Sequence, residues 1–385
     1  MTNFALLKLQ LLYHGIRSSG ELPSPLTNPF GLVHLVLPEK LSVSVHLNTN
    51  GKESPFTLRR EGRLFYLDID GKERVPVQWT PPLLSYQKKI SSGLHVSDIL
   101  TVHGDTIAVH PSRPCRFGQS GLSCRYCGSS KELSQHPPFT PRDLVEAIQI
   151  VMQEKRCDIV TLSSGYVDTE DGGVEWLEKW VTVIRKHLGV LIALDLVPPE
   201  TNEWIDKTYA MGVDALYYDS DFFNPNDEPA SDFEKHKARQ LDALKYAGRI
   251  FPAGAVLSHL VIGFEPLEET IASIDLLIDR GVVPVLAYFP PYDGSELRAR
   301  WTATPEEAQR IYAHLYERLV RTRMHPHWVQ QYDVVLPPLE GRFFSPESPR
   351  YHLKLKNFYE TRVGRAVRFG LASLRRHLRV REVPA

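Results

Sequence analysis

Three of the four cysteines lie within 13 residues of one another, in the pattern Cys115-x8-Cys124-x2-Cys127. Two thiolates that are separated by two residues can bind one metal centre, and the glycines and serines of the x8 segment give the chain the flexibility to add the third. A disulfide framework would be spread more evenly along the chain. We therefore expect a reducing compartment, the cytoplasm, in which clustered thiols act as ligands or catalysts.

The spacing alone leaves three alternatives open. Structural zinc normally takes four ligands, and a fourth is not evident near the cluster. Three thiolates would leave one iron of a cubane iron–sulfur cluster open for a substrate or cofactor. The third alternative is three unrelated thiols. The remaining cysteine, Cys157, opens a predicted strand and is expected to be a small buried residue, not a ligand.

Composition narrows the class of protein. The 385 residues are 42% hydrophobic and 24% charged with a net charge of −1, which excludes a membrane bundle and a disordered chain. A charge so near zero gives no overall field that would attract nucleic acid or a membrane. No run of 18 apolar residues exists, and the first residues do not have the pattern of a signal peptide.

From residue 105 the sequence alternates between strands and helices. Thr140 and Thr304 each precede a proline and stand three residues before an acid, which is the pattern of a helix start. Helices are predicted between successive strands, which are expected at 106–110, 158–163, 190–196, 215–219, 255–262 and 283–289. Such alternation requires crossover connections and hence a parallel sheet, open or closed.

The two ends of the chain differ from this middle part. Residues 1–104 contain short alternating runs separated by turn signals, which predict a β-rich N-terminal domain. Residues 326–385 form a C-terminal extension, whose last 35 residues hold nine Lys or Arg and two Glu. Its apolar residues follow the spacing of one helix face, so we predict a basic amphipathic helix that docks through that face: Val363, Val367, Leu371, Leu374 and Leu378.

The cysteine segment resembles the radical S-adenosylmethionine (radical SAM) superfamily, since Tyr126 stands between the last two cysteines and Gly128 follows them. The family usually has three residues between its first two cysteines, so the match is to a variant. Four later segments, each at the end of a predicted strand, are similar to family segments in the same order: 163–166, 212–221, 259–265 and 285–297. The resemblance, which is to biotin synthase and its relatives, implies a partial (β/α)6 TIM-like barrel over residues 105–325.

The resemblance also implies the cofactors. Cys115, Cys124 and Cys127 would hold one [4Fe–4S] cluster, which would cleave S-adenosyl-L-methionine (SAM) reductively to give a 5′-deoxyadenosyl radical that abstracts hydrogen from the substrate. The implied contacts to SAM are Tyr126, Ser163, Ser164, Gly165, Asp219, Asp221, Lys237, Arg239, Ile262 and Gly263. Each also has a structural interpretation as a turn, a helix cap, a solvated helix face or a buried strand end. Four further residues are either cavity lining or core: Tyr217, Tyr218, His259 and Tyr288.

The sequence thus predicts a radical SAM enzyme that acts on a small molecule in a biosynthetic pathway. A flavodoxin- or ferredoxin-like electron donor is the expected partner, and neither a membrane nor nucleic acid is expected. The fold does not select the substrate, and no residue is assigned a catalytic role of its own. The alternative is a zinc-stabilised α/β barrel that binds nucleic acid or peptide through its basic tail.

Overall fold

The structure is a computed structural model in which residues 3–48, 53–111, 137–165, 167, 169–219, 233–263, 265–288, 303–329, 331–345 and 350–382 are described. Within these ranges only the backbone is described at 233–237, 327, 350–352 and 379–382. The protein is a mixed α/β structure built on two sheets, an N-terminal one and a larger, mainly parallel one.

The N-terminal sheet follows a helix, α1 (Phe4–His14), that the sequence analysis did not anticipate. Asn3 caps it by accepting hydrogen bonds from the backbone N–H groups of Ala5 and Leu6, each at 3.1 Å. The strands are β1 (Arg17–Ser19), β2 (Leu32–Leu37), β3 (Leu41–His46), β4 (Phe56–Glu61), β5 (Leu64–Ile69) and β6 (Glu73–Thr80). They pair in the order β1-β4-β5-β6-β2-β3, and all pairs are antiparallel except β1 with β4.

The second sheet carries the strand–helix alternation. Its strands are β7 (Thr101–His103), β8 (Thr106–Val109), β9 (Ile159–Ser163), β10 (Leu191–Asp195), β11 (Ala215–Tyr217), β12 (Val256–Val261) and β13 (Val283–Ala287). They pair in sequence order; β8 to β13 are parallel, and β7 is an antiparallel edge strand. Among the described residues β7 and β13 each pair with one neighbour, so the sheet is open.

A helix follows each of the six parallel strands. These helices are α2 (Pro141–Glu154), α3 (Val174–His187), α4 (Asn202–Ala210), α5 (Phe233–Ile250), α6 (Leu267–Ile278) and α7 (Pro305–Thr322). The two predicted helix starts are confirmed as capping boxes, in which Thr140 pairs with Asp143 and Thr304 pairs with Glu307. The parallel strands are almost wholly apolar and buried, as expected for a sheet covered on both faces.

The N-terminal part and the end of the chain are tied together by buried polar contacts. Lys8 of α1 lies 2.8 Å from a carboxylate oxygen of Glu340, and neither side chain is more than 7% exposed. Asp333 accepts hydrogen bonds from the Ser44 hydroxyl and pairs with Nδ1 of His34, each at 3.0 Å. Burial alone would raise the pKa of Asp333, but hydrogen bonds from His103 and His34 hold this pKa far below its usual range. The two ends of the chain therefore share one core.

Two helices end the described chain, α8 (Arg350–Glu360) and α9 (Arg362–Glu382). The α9 helix lies at the amino edge of the parallel sheet, where Arg376 donates to Asp214, the residue before β11, at 2.6 Å. Ala372 is buried on the same side of the helix, four residues before Arg376. Docking of this helix through its apolar face stays a prediction. The residues of that face are 40–67% exposed: Val363, Val367, Leu371, Leu374 and Leu378. The three leucines among them line a cavity that the helix shares with Leu191 and Ala255, at the amino ends of β10 and β12. No described helix combines the length and the hydropathy that crossing a bilayer requires.

Candidate functional site

The carboxyl ends of the parallel strands bring a group of polar side chains to one edge of the sheet. In the strand register Ser163 pairs with Asp195, and Asp195 pairs with Tyr217. Asp219 follows β11 by two residues, and His259 lies on β12 beside it. Ligands of open α/β sheets bind at this edge, so we treat it as the candidate site.

Asp219 and His259 are in direct polar contact at this edge. The His259 backbone N–H donates to Oδ1 of Asp219 at 2.9 Å, and Nδ1 of the imidazole lies 2.9 Å from both carboxylate oxygens. The imidazole stacks on the ring of Tyr217 at a centroid distance of 5.3 Å. Burial alone would raise the pKa of Asp219, but the charge and hydrogen bonds of His259 lower it. Asp219 is therefore held ionised and in a fixed orientation.

Asp195 is a second carboxyl group in the same cluster, with the opposite electrostatic character. Burial, reinforced by the nearby Asp219 carboxylate, raises the pKa of Asp195 to about 7, while His259 and a hydrogen bond with Ser163 oppose the shift. Two adjacent carboxyl groups whose pKa values are driven apart can hold and release a proton near neutral pH. Sequence reasoning missed Asp195, although an acid inside the otherwise apolar run 190–197 was a usable signal.

The other predicted strand-end residues lie at the same edge. The Ser164 backbone N–H donates to the Asp195 carbonyl at 3.1 Å, and its hydroxyl donates to the Gly165 carbonyl at 2.9 Å. Gly165 and Gly263 have φ values of +63° and +114°, which side chains rarely adopt. Ile262 is fully buried and its N–H donates to Ala287 of β13. Because neither glycine has a Cβ, the backbone groups of these two turns are not covered by a side chain of their own.

Arg239 on α5 is the predicted cation with a described side chain. Its Nε donates to the Pro199 carbonyl at 2.6 Å and its Nη1 donates to Oδ1 of Asn202 at 3.0 Å. Its remaining nitrogen, Nη2, is buried and has no hydrogen-bond partner among the described residues. Such a donor can bind an anionic group of a ligand. For Lys237, also on α5, only the backbone is described.

Several predicted residues lie outside the described part of the chain: Cys115, Cys124, Tyr126, Cys127 and Asp221. The cysteine segment, 112–136, connects Pro111, two residues after the end of β8, to Pro137 before α2. It therefore starts at the same edge as Ser163 and Asp195. Within the described ranges, no three His, Cys, Asp or Glu side chains are placed to hold a metal ion.

Cys157 lies away from this edge. Its side chain is 2% exposed and forms no disulfide, and the residue precedes β9 at the amino edge of the sheet. Burial raises the pKa of its thiol to about 12, so the thiolate that a metal requires is strongly disfavoured. The prediction that Cys157 is a small buried residue is confirmed. The three aromatic candidates Tyr217, Tyr218 and Tyr288 are likewise core residues, each at most 2% exposed.

Comparison with known proteins yields one distant relationship to report. No family model matches the chain. The chain is 22% identical over 235 residues to a bacteriochlorophyllide c C-7(1)-hydroxylase of Chlorobaculum limnaeum, in an alignment that covers 54% of this chain. The matched part spans 58% of the length of that enzyme. The chain is thus similar, over about half its length, to a bacteriochlorophyllide hydroxylase.

Proposed function

We propose that this chain is a radical SAM enzyme that modifies a small molecule. The observation that carries the proposal is the position of the cysteine segment. This segment, which holds the three clustered cysteines, starts at the same edge of the sheet as Ser163, Asp195 and Asp219. Three thiolates can hold an iron–sulfur cluster that has one open iron, and polar side chains at nearby strand ends can bind a cosubstrate next to it. The distant similarity to a hydroxylase supports an enzyme of biosynthesis.

The architecture supports the same proposal. Six parallel strands, each followed by a helix and paired in sequence order, correspond to the partial (β/α)6 barrel of the resemblance. In parallel barrels the chemistry lies at the carboxyl ends of the strands. We therefore place the radical SAM domain at residues 105–325, with the N-terminal sheet and the C-terminal helices packed around it.

The strand-end residues fit the chemical groups of SAM. When bound, the cluster and SAM would supply an organic radical that removes a hydrogen atom from the substrate. Arg239 would bind the methionine carboxylate through Nη2, which the described residues leave without a partner. Asp219, fixed by His259, would accept hydrogen bonds from the ribose hydroxyls. The turns at Gly165 and Gly263 would allow close approach of the methionine and adenine parts.

A pigment of the tetrapyrrole class is the substrate that we propose, since the relative acts on a bacteriochlorophyllide. Asp195 suits a reaction that moves protons, because a carboxyl group with a pKa of about 7 exchanges its proton readily at neutral pH. We assign Asp195 as the proton-exchanging group beside the substrate. It acts together with the fixed Asp219–His259 pair, which keeps the neighbouring carboxylate ionised.

Metal analysis of anaerobically purified and reconstituted protein tests the proposal. We expect a brown protein with about four irons and four sulfides per chain. The Cys127→Ala variant should lose most of the iron, whereas Cys157→Ala, the matched control at the opposite edge, should keep it. A colourless protein with one zinc per chain would contradict the proposal and favour the zinc-stabilised alternative.

A further inference from the structure

A cavity of about 340 Å³ lies at the amino edge of the parallel sheet, opposite the candidate site. Asp105 and Asp158, which directly precede β8 and β9, form part of its wall. The N-terminal sheet contributes His34, and helices α8 and α9 contribute Lys356 and Arg368. A cavity of this volume can hold a small ligand. Its wall thus joins three parts of the chain around a space large enough for one.

The wall of this cavity carries more positive than negative side chains. Its cations are Lys155, Arg156, Lys356, Arg365 and Arg368. Its acids are Asp105, Asp158 and Glu360. Arg156 and Asp158 neutralise each other, since Nε and Nη2 of Arg156 both donate to the Asp158 carboxylate. Four cations then remain beside two acids, which gives the cavity a local positive charge in a chain whose net charge is −1.

Arg368 offers a hydrogen-bond donor to this cavity. Its Nη2 is buried and has no hydrogen-bond partner within the described part of the chain. Burial lowers the pKa of the guanidinium, against the opposing charges of nearby carboxylates such as Asp105. The guanidinium is held in place over the ring of Trp328, with its carbon 5.4 Å from the ring centroid. A buried guanidinium nitrogen normally has an acceptor, so Nη2 is suited to an acceptor that a ligand brings.

Lys356 is a second cation of the wall that has lost much of its contact with water. Its side chain is 20% exposed, and Nζ lies 4.0 Å from a carboxylate oxygen of Glu360. That carboxylate also accepts a hydrogen bond from Gln331 at 3.3 Å. Burial lowers the pKa of the Lys356 ammonium group. A negatively charged ligand would therefore stabilise the charged forms of both Lys356 and Arg368.

We propose that this cavity binds a small ligand through a phosphate group. The excess of two positive charges matches the charge of a phosphate group near neutral pH, whereas a carboxylate would supply one. Phosphate oxygens accept charge-assisted hydrogen bonds from arginine and lysine. Burial raises the pKa of Asp105 to about 6, so this carboxyl can take up a proton when an anion binds beside it. Because the cavity lies at the amino edge, the inference does not depend on the chemistry proposed for the other edge.

Calorimetric titration of the full-length, anaerobically purified protein with inorganic phosphate, in chloride buffer of constant ionic strength, tests this site. We expect saturable binding, a melting temperature that rises with phosphate concentration, and weaker binding of acetate. The variant Lys155→Gln/Arg365→Gln changes two half-buried cations of the wall and should bind phosphate at least about tenfold more weakly. The matched control, Lys245→Gln/Arg249→Gln, removes two exposed cations from α5 and should bind as the wild type does.

A second variant, Arg368→Gln, should also bind phosphate at least about tenfold more weakly, because it removes the buried donor. Its melting temperature in chloride shows whether it is folded, and if it is not, the Lys155→Gln/Arg365→Gln result decides. Four results would overturn the proposal: no saturable phosphate binding by the wild type, acetate binding as tight as phosphate binding, unchanged phosphate affinity in Lys155→Gln/Arg365→Gln, or an equal loss of affinity in the control.

Discussion

The imidazole of His259 holds the Asp219 carboxylate across neighbouring parallel strands, with Nδ1 at 2.9 Å from both carboxylate oxygens. The backbone N–H of His259 donates to the same carboxylate. Three hydrogen-bonding contacts to one residue keep Asp219 charged and immobile at the edge where the predicted SAM contacts lie. The pair therefore gives the site a fixed acceptor beside a second carboxyl group, Asp195, that can hold a proton.

Replacing Asp219 with Asn should weaken SAM binding about tenfold or more. A hydrogen bond to a charged group contributes roughly 1.5–3 kcal/mol, and the amide keeps the shape of the side chain while losing its charge. The measurement is equilibrium binding of SAM to the anaerobic reconstituted protein. Asp279→Asn, a change at an exposed helix end, serves as the control. Unchanged SAM affinity in Asp219→Asn would remove this residue from the proposed site.

Asp195 should make the stability of the protein depend on pH. Burial and the Asp219 carboxylate raise its pKa to about 7, whereas the pKa in the unfolded chain is about 3.9. Between these values the folded state holds a proton that the unfolded state has lost, so the free energy of unfolding falls as pH rises through this window and levels off above it. The fall is a few kcal/mol at most, since each pKa unit corresponds to about 1.4 kcal/mol.

Urea unfolding of the wild type and of Asp195→Asn at several pH values across this window measures the effect. The Asn variant should show a smaller decline in the free energy of unfolding than the wild type, because it has no proton to lose. An identical decline in both proteins would assign the titration to another group and contradict the account of Asp195.

Lys8→Met should destabilise the protein by about 3–5 kcal/mol, because it leaves the buried Glu340 carboxylate without its counter-charge. The double variant Lys8→Met/Glu340→Gln should recover part of this loss. Lys207→Met, which breaks an exposed pair with Glu178, should cost no more than about 1 kcal/mol. Equal effects of the two single variants on urea unfolding would show that the N-terminal helix is not tied into the core as described.

Features set by neighbouring residues were predictable from sequence. The capping boxes at Thr140 and Thr304 and the strand–helix alternation depend on short-range patterns, and the structure confirms them. Helix α1 was missed because its apolar residues surround the helix without a preferred side, which gives no helical period. Strand β7 was missed because three residues, Thr101–His103, are too few to show alternation.

Relationships across long stretches of sequence were not predictable. The contact between Asp219 and His259 depends on the register of β11 and β12, which are joined by a long crossover. The helical spacing in α9 correctly indicated an amphipathic helix, but periodicity does not tell which side meets the protein. A contact that joins α9 to the sheet, between Arg376 and Asp214, links residues that are 162 positions apart.

The most direct test of the proposed function is whether the reduced protein cleaves SAM to methionine and 5′-deoxyadenosine. The anaerobic reconstituted wild type, reduced with dithionite, should form both products in equal amounts. Cys115→Ala should form neither, while Cys157→Ala, whose thiol is buried at the opposite edge, should cleave SAM as the wild type does. Cleavage that persists in Cys115→Ala, or a wild type that carries its cluster and leaves SAM intact, would contradict the assignment.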